Sequence, residues 1–270
     1  MRVIIENSPK EAGLRAADII RRKIYRKPKT VLGLATGSSP IAVYEELVRL
    51  HSVGDLDFSE VASFNLDEYV GLAPDHPQSY RHFMQSTLFD HVNIRTENCH
   101  VPDGRALDYE LYCDTYESKI REYGGIDIQL LGIGTDGHIA FNEPGSSLGS
   151  RTRLKTLTSE TIRDNARFFG SEDAVPRLAV TMGVGTILES RCCLLIAYGD
   201  NKADAIARAV EGPVTAQITA SALQLHRDVI VVLDEHAAQG LQRREYYQEV
   251  EEAQLLLEAG KVRQLGIGSE

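Results

Sequence analysis

The sequence predicts an α/β protein with an open, mostly parallel sheet and helices on both faces. Short β-branched apolar runs alternate along the chain with longer amphipathic stretches. Several runs are apolar at consecutive positions, as strands covered on both faces must be. The 270 residues can enclose one sizeable core without a second domain. We therefore expect a single, modified Rossmann-like domain over residues 1–270, in which residues 241–270 form a C-terminal helix and tail.

The expected elements alternate along the chain. Ser8-Pro9-Lys10-Glu11 has the spacing of a capping box with proline at the first helical position, and Ser39-Pro40 repeats the cap-then-proline signal. The predicted strands are Val3–Ile5, Val31–Ala35, Val61–Asn65, Ile126–Ile133, Cys193–Tyr198 and Val229–Leu233. Beyond the helix that starts at Pro9, the predicted helices are Ile41–Leu50, Pro77–Phe89, Leu107–Tyr123, Lys202–Val210 and Leu241–Ala259.

Composition and charge exclude several classes of protein. Charged residues make up 25% and hydrophobic residues 43%, which are globular proportions. The net charge of -10 gives no electrostatic basis for binding nucleic acid. No stretch is apolar and long enough to span a bilayer, the N-terminus lacks a signal-peptide core, and the four cysteines form no CxxC pair. We expect a cytoplasmic protein with no nucleic-acid partner, no membrane partner and no metal.

Ligands of open α/β sheets bind beyond the carboxyl ends of the strands, and the first unusual strand end is Thr36-Gly37-Ser38-Ser39. Glycine lets the backbone approach a ligand closely, hydroxyl groups donate hydrogen bonds, and the free N–H groups of a helix start favour an anion. These residues resemble a phosphate cradle without the lysine of a Walker A loop. An ordinary strand-to-helix turn with a serine cap fits them equally well.

The second unusual strand end places Asp67 and Glu68 side by side next to Tyr69. A carboxylate in a partly dry pocket has a raised pKa and can move a proton to and from carbon. Asp67 is therefore our candidate base. The alternative is an exposed acidic turn, which is the usual fate of an isolated Asp-Glu pair.

The third unusual strand end is the segment Gly132–Pro144. It opens with a GxGxxG pattern, but it reaches proline instead of starting a helix, so we reject a dinucleotide site. His138 lies between Asp136 and Glu143, the grouping that orients an imidazole for proton transfer. Further ligands of a metalloenzyme are absent at short spacing, and so is the GxSxG elbow of a serine hydrolase.

Three longer motifs resemble the signatures of one family. They are Phe64–Leu72, His76–Tyr80 and Asp136–Pro144, and the likeness extends from the N-terminal strand to about Asp234. On these motifs the chain is similar to the glucosamine-6-phosphate deaminase family. The resemblance implies a hydrolase of amino-sugar catabolism that isomerises and deaminates glucosamine 6-phosphate, giving fructose 6-phosphate and ammonia.

The resemblance also implies roles for the candidate residues. His138 would open the sugar ring, and Asp136 and Glu143 would orient the imidazole of His138. Asp67 would transfer the proton at C2, with no cofactor required. The residues expected to bind the substrate phosphate are Thr36, Gly37, Ser38, Ser39, Arg167 and Lys202. Without the resemblance, Arg167 and Lys202 would be interpreted as ordinary surface charges.

A second ligand site follows from the same resemblance. Allosterically activated members are hexamers that bind N-acetylglucosamine 6-phosphate at a subunit interface. The residues at the contacting positions are Ser146, Arg153, Lys155 and Thr156. The segment Val214–Thr219 lacks the His-Met-Trp of those members, and Gln248 stands where they have tyrosine.

Three alternatives remain open at this stage. A 6-phosphogluconolactonase shares the fold, but it would not require Asp67 as a base at C2. A galactosamine-6-phosphate deaminase differs in how the C4 hydroxyl is recognised. A sugar-phosphate sensor of a transcription regulator should carry a helix-turn-helix segment and a basic surface, for which the charge of -10 is unsuitable.

Overall fold

The computed structural model describes residues 1–260, and its centre is a sheet of seven parallel strands. Its strand order is β1-β10-β9-β6-β2-β3-β5. The strands of the protein are β1 Arg2–Glu6, β2 Val31–Leu34, β3 Ala62–Asn65, β4 Asp67–Tyr69, β5 Cys99–His100, β6 Ile128–Leu131, β7 Arg153–Thr156, β8 Leu178–Thr181, β9 Cys193–Ala197 and β10 Val229–Asp234.

Helices cover both faces of this sheet, which confirms the predicted fold class. Consecutive strand residues point to opposite faces, so Leu194 packs in one hydrophobic cluster and Leu195 in the other. Helices α1 to α3 cover the first cluster, and α4, α6 and α7 cover the second. The helices are α1 Pro9–Arg26, α2 Ile41–Ser52, α3 Tyr80–Thr87, α4 Tyr109–Glu122, α5 Ser159–Phe169, α6 Val184–Leu188, α7 Ala203–Val210 and α8 Arg244–Glu258.

The cap of α2 and the start of α3 differ from the sequence expectation, whereas the cap of α1 confirms it. Ser8 caps α1 by accepting a hydrogen bond from the Glu11 N–H at 3.2 Å, as predicted. Ser39 does not cap α2, because Pro40 occupies the cap position and no side chain bonds there. Helix α3 starts at Tyr80 rather than Pro77, because Ser79 is its cap.

A second, antiparallel sheet of three strands, β4-β8-β7, was not predicted. Strand β4 has the sequence Asp-Glu-Tyr, and β7 is Arg-Leu-Lys-Thr with alternating partial exposure. Neither sequence is a β-branched apolar run, so local propensity does not predict a strand at either place. Hydrogen bonds to the neighbouring strand β8 hold both segments extended. Helices α5 and α6 were also missed.

The C-terminal helix α8 packs beside β1 at the edge of the main sheet. Arg2 pairs with Glu251 at 2.6 Å and with Glu258 at 2.7 Å, so ion pairs join the two ends of the described chain. The rest of the tail predicted within residues 241–270 lies outside the described residues. Between residues 1 and 260, no helix is long and apolar enough to cross a membrane.

Candidate active site

One cleft collects residues that follow four adjacent strands of the main sheet, namely β9, β6, β2 and β3. Its volume of about 290 Å³ resembles that of three other cavities, at about 270 to 310 Å³, so its lining rather than its size distinguishes it. The predicted site residues that line it are Thr36, Gly37, Ser38, Ser39, Asp67, His138, Arg167 and Lys202. The parallel strands therefore bring three of the sequence-predicted segments to one place, as their shared carboxyl edge requires.

Asp67, the first residue of β4, contributes a buried carboxyl group to this cleft. Its side chain is nearly out of solvent, with a residue exposure of 5%. No group within residues 1–260 donates a hydrogen bond to it, and burial together with the charge of Glu68 raises the pKa of Asp67 to about 8. Such a carboxyl exchanges a proton readily near neutral pH, which suits a general base.

The neighbouring carboxylate, Glu68, has a structural task instead. It accepts hydrogen bonds from the backbone N–H groups of Tyr69 at 2.8 Å, Tyr80 at 3.0 Å and Arg81 at 3.0 Å. Burial nevertheless raises the pKa of Glu68 above its ordinary value. Glu68 thus ties β4 to the start of α3, and the expectation of an exposed acidic turn is wrong for this pair.

His138 lies against two carboxylates. Its Nδ1 atom is 2.7 Å from Oδ1 of Asp136 and 3.9 Å from Oε2 of Glu143. The shorter contact lacks the geometry of a hydrogen bond, and Nδ1 of His138 has no hydrogen-bond partner within residues 1–260. Burial opposes ionisation of Asp136, but the contact with His138 outweighs it and lowers the pKa of Asp136.

The turn around His138 depends on two glycines, Gly134 and Gly137. A Cβ atom on Gly134 would overlap the imidazole of His138 and lie 2.7 Å from Oδ1 of Asp136. Gly137 adopts a φ of 89°, and a Cβ atom there would lie 2.8 Å from Ile218. Glycine is therefore required for packing at Gly134 and for both packing and backbone conformation at Gly137.

Asp136, His138 and Glu143 also have the composition of a possible cation site, since their ligand atoms lie within 4.8 Å of one another. Three of their four carboxylate oxygens already accept hydrogen bonds from the protein. Oδ1 of Asp136 accepts from the His138 N–H at 3.0 Å, and both oxygens of Glu143 accept from Thr158. These hydrogen bonds leave few free ligand atoms for a cation, and the absence of a metal stays a prediction.

The segment Thr36–Ser39 precedes a helix whose start is open. Gly37 has a φ of 93°, which favours glycine, and an added Cβ atom would meet nothing within 4 Å. Because no side chain caps α2, its first backbone N–H groups remain available to an anion at the cleft. The failure of Ser39 to cap the helix therefore suits a phosphate cradle better than the predicted cap would.

Two cations, Arg167 and Lys202, line the same cleft as this cradle. Within residues 1–260, neither Arg167 nor Lys202 has a carboxylate oxygen within 4.0 Å. Burial lowers the pKa of Lys202, although Asp164 and Asp136 partly offset it. Arg167 belongs to α5, and its guanidinium lies 4.6 Å from the ring centre of Phe168. Both charges are free to bind an anion.

An aromatic wall that was not identified as functional completes the cleft. Tyr69 packs against Tyr80 and Phe141 at centroid distances of 4.9 and 5.5 Å. The hydroxyl of Tyr69 accepts a hydrogen bond from the Asn165 side chain at 2.9 Å. Asn165 was missed because α5 was not predicted. The position of Asn165 two residues before Arg167 does not by itself indicate that Asn165 faces the cleft.

The residues of the predicted second ligand site do not line the cleft. Arg153 and Lys155 share the half-buried face of β7, whereas Thr156 lies on its exposed face. Arg153 donates a hydrogen bond to Oδ1 of Asn142 at 2.9 Å. The hydroxyl of Ser146 is buried and has no hydrogen-bond partner within residues 1–260.

A family model described as glucosamine-6-phosphate isomerases/6-phosphogluconolactonase matches residues 6–232. The chain belongs to this family. Two relatives, both called glucosamine-6-phosphate deaminase, show the extent of the similarity. The protein of Shewanella woodyi is 53% identical over 251 residues, covering 93% of this chain and 95% of that protein. The protein of an Arthrobacter species is 54% identical over 247 residues, covering 92% and 95%.

Solved structures of the glucosamine-6-phosphate isomerase/6-phosphogluconolactonase family support the same assignment. A monomeric glucosamine-6-phosphate deaminase superposes with a TM-score of 0.87 at 44% identity, covering 89% of this chain and all of that one. A 6-phosphogluconolactonase from Trypanosoma brucei gives a TM-score of 0.71 at 20% identity, covering 89% and 98%, which shows the common fold alone. The predicted family and its enzymatic nature are confirmed.

Proposed function

We propose that this enzyme converts glucosamine 6-phosphate and water into fructose 6-phosphate and ammonia. The observation that carries the proposal is the presence of the Asp67 carboxyl in the same cleft as His138, a hydroxyl-rich loop and the cations Arg167 and Lys202. Relatives with about half of their residues identical are called glucosamine-6-phosphate deaminase. Positioned acid and base groups contribute about 10²- to 10⁴-fold each to such reactions.

The chemistry requires proton transfers at defined atoms. His138, oriented by Asp136 and Glu143, moves a proton at the ring oxygen and opens the sugar. Asp67 then removes the proton at C2, which gives an enolamine. Return of a proton to C1 leaves an imine at C2. Water hydrolyses this imine to the ketone and releases ammonia, so C1 is reduced as C2 is oxidised, and no external electron acceptor is needed.

The substrate phosphate binds between the open start of α2 and the two cations. Thr36 to Ser39 supply hydroxyl and N–H donors, while Arg167 and Lys202 supply the charge. Burial lowers the pKa of Lys202, Asp164 and Asp136 offset this only in part, and a bound phosphate would oppose the lowering further.

Several finer features belong to the same proposal. We infer one domain over residues 1–270, a location in the cytoplasm, and activation by N-acetylglucosamine 6-phosphate through Ser146, Arg153, Lys155 and Thr156. A homohexamer would provide the interface that this activation needs. A similar deaminase is monomeric, so light scattering with and without the activator is the direct test of the assembly.

The function is tested by incubating the purified protein with glucosamine 6-phosphate and measuring ammonia and fructose 6-phosphate together. We expect equal amounts of both products and their loss in Asp67→Asn. Galactosamine 6-phosphate and 6-phosphogluconolactone serve as competing substrates. Turnover of either one, without turnover of glucosamine 6-phosphate, would overturn the proposal.

A further inference from the structure

Thr158 is the sole residue within residues 1–260 that donates hydrogen bonds to the carboxylate of Glu143. Its backbone N–H donates to Oε1 at 3.2 Å, and its hydroxyl donates to Oε2 at 3.2 Å. Glu143 is only 1% exposed, so water cannot readily replace a lost donor. The same Oε2 atom faces Nδ1 of His138 at 3.9 Å. Thr158 therefore controls how Glu143 is presented to His138.

The Thr158 hydroxyl also begins α5. It accepts a hydrogen bond from the Thr161 N–H at 3.2 Å, which caps the helix. A hydroxyl group has one proton and two lone pairs. Donation to Glu143 is therefore compatible with acceptance from the Thr161 N–H and from the Thr161 hydroxyl, which lies 3.3 Å away and can serve as the donor of that contact. Helix α5 carries Asn165 and Arg167 to the cleft. One side chain thus contacts both the carboxylate beside His138 and the helix that holds a phosphate-binding cation.

We propose that Thr158 is a positioning residue that couples His138 to the phosphate side of the cleft. It orients Glu143 through its proton and fixes the start of α5 through its lone pairs. The residue does not line the cleft and acts through Glu143 and Arg167. Its kinetic consequence rests on the proposed function, whereas its effect on phosphate binding does not.

Three substitutions separate the two tasks of the hydroxyl. Thr158→Val keeps the shape and removes both the proton and the lone pairs. Thr158→Ser keeps both. Thr158→Asp keeps an acceptor for the helix cap, and its carboxylate repels Glu143 instead of donating to it. The kinetics of this variant are compared with those of the wild type at alkaline pH, where the two adjacent carboxyls no longer share a proton.

Valine should lower kcat about 10- to 100-fold, which corresponds to loss of a hydrogen bond to a charged group, and should raise KM for the sugar phosphate. Serine should restore both constants. Aspartate should restore KM but leave kcat low. Asp108→Ala is the control for the loss of a helix cap elsewhere in the protein. Asp108 caps α4 by accepting a hydrogen bond from the Leu111 N–H at 3.0 Å, so this change should lower the melting temperature without affecting kcat or KM.

Binding of inorganic phosphate, measured by calorimetry, tests the α5 half without turnover. Its affinity should fall in Thr158→Val and return in Thr158→Ser and Thr158→Asp. If the wild type lacks deaminase activity but the variants show this order of phosphate affinities, the proposed function is overturned and the coupling of Thr158 to α5 stands. Full recovery of kcat in Thr158→Asp would show that capping alone suffices and would overturn the coupling to Glu143. A kcat of Thr158→Val equal to that of the wild type would overturn it as well.

Discussion

Gly134 packs so closely against His138 that a methyl group at Gly134 would occupy the space of the imidazole ring. The backbone N–H of Gly134 also donates to the carbonyl oxygen of His138 at 2.8 Å. The glycine is thus both a hydrogen-bonding and a steric partner of the histidine. The orientation of His138 relative to Asp136 depends on the absence of a side chain at Gly134, the third residue after β6.

Gly134→Ala should therefore lower kcat by about 100-fold or more, because displacement of a proton-transfer group by about 1 Å has an effect of that order. Gly132→Ala is the matched control in the same loop. Its added carbon would lie 3.7 Å from the nearest atom, Oγ of Ser39, which is an ordinary contact. Steady-state kinetics on both variants measure the difference, and equal losses would contradict the steric role of Gly134.

Asp67→Asn should increase the stability of the folded protein most strongly at alkaline pH. The folded-state pKa of Asp67 is about 8 and its unfolded-state pKa is near the ordinary 3.8, so only the native state holds the proton between these values. The wild type should lose stability as pH rises through this window, at up to about 1.4 kcal/mol per pH unit. Urea unfolding at pH 5 and pH 8 measures the change, and a constant difference between the proteins would contradict it.

Asp136→Asn should have the opposite effect. The pKa of Asp136 is lowered in the folded state, so its carboxylate contributes stability above pH 3.8, and this contribution is lost as pH falls through the folded-state value. The variant should be less stable than the wild type at pH 7. Thermal unfolding at pH 7 and pH 3 tests this, since the difference should shrink or vanish in acid.

The pH dependence of kcat/KM should report the base in the free enzyme. A carboxyl with a pKa of about 8 is mostly protonated at pH 6, and only its ionised form can remove the C2 proton. We expect kcat/KM for glucosamine 6-phosphate to rise with pH, to reach half of its maximum near pH 8 and to level off about one unit higher. A profile that is already flat between pH 5 and pH 8 would exclude Asp67 as the titrating base.

Replacement of the phosphate-binding cations should affect binding more than turnover. Arg167→Met and Lys202→Met should each raise KM about 10-fold or more, because each removes a charge-assisted contact with phosphate. Arg163→Met is the control, since Arg163 is exposed on the same helix and does not line the cleft. Inhibition constants for inorganic phosphate should follow the same order, and equal effects of all three changes would indicate a general charge effect.

Local sequence patterns were sufficient for six of the seven strands of the main sheet, whereas the two-residue strand β5 was missed. Strands β9 and β10 were predicted because two-sided burial requires apolar residues at consecutive positions, as at Leu194 and Leu195. Strand β4 and helix α5 were missed. The extended form of Asp67–Tyr69 comes from pairing with β8, more than 100 residues away, as in the register of Asp67 with Thr181.

The sequence by itself determined the family, the main sheet and the candidate groups Asp67 and His138, because these depend on residue type, local spacing and a recognisable order of motifs. Tertiary structure decided what those groups do to one another. Burial made Asp67 a high-pKa acid and made Glu68 an anchor for α3, although the two are adjacent in the chain. The strand order brought Lys202 to the cleft beside Arg167 from α5, because contacts between distant segments depend on how the sheet and its helices pack.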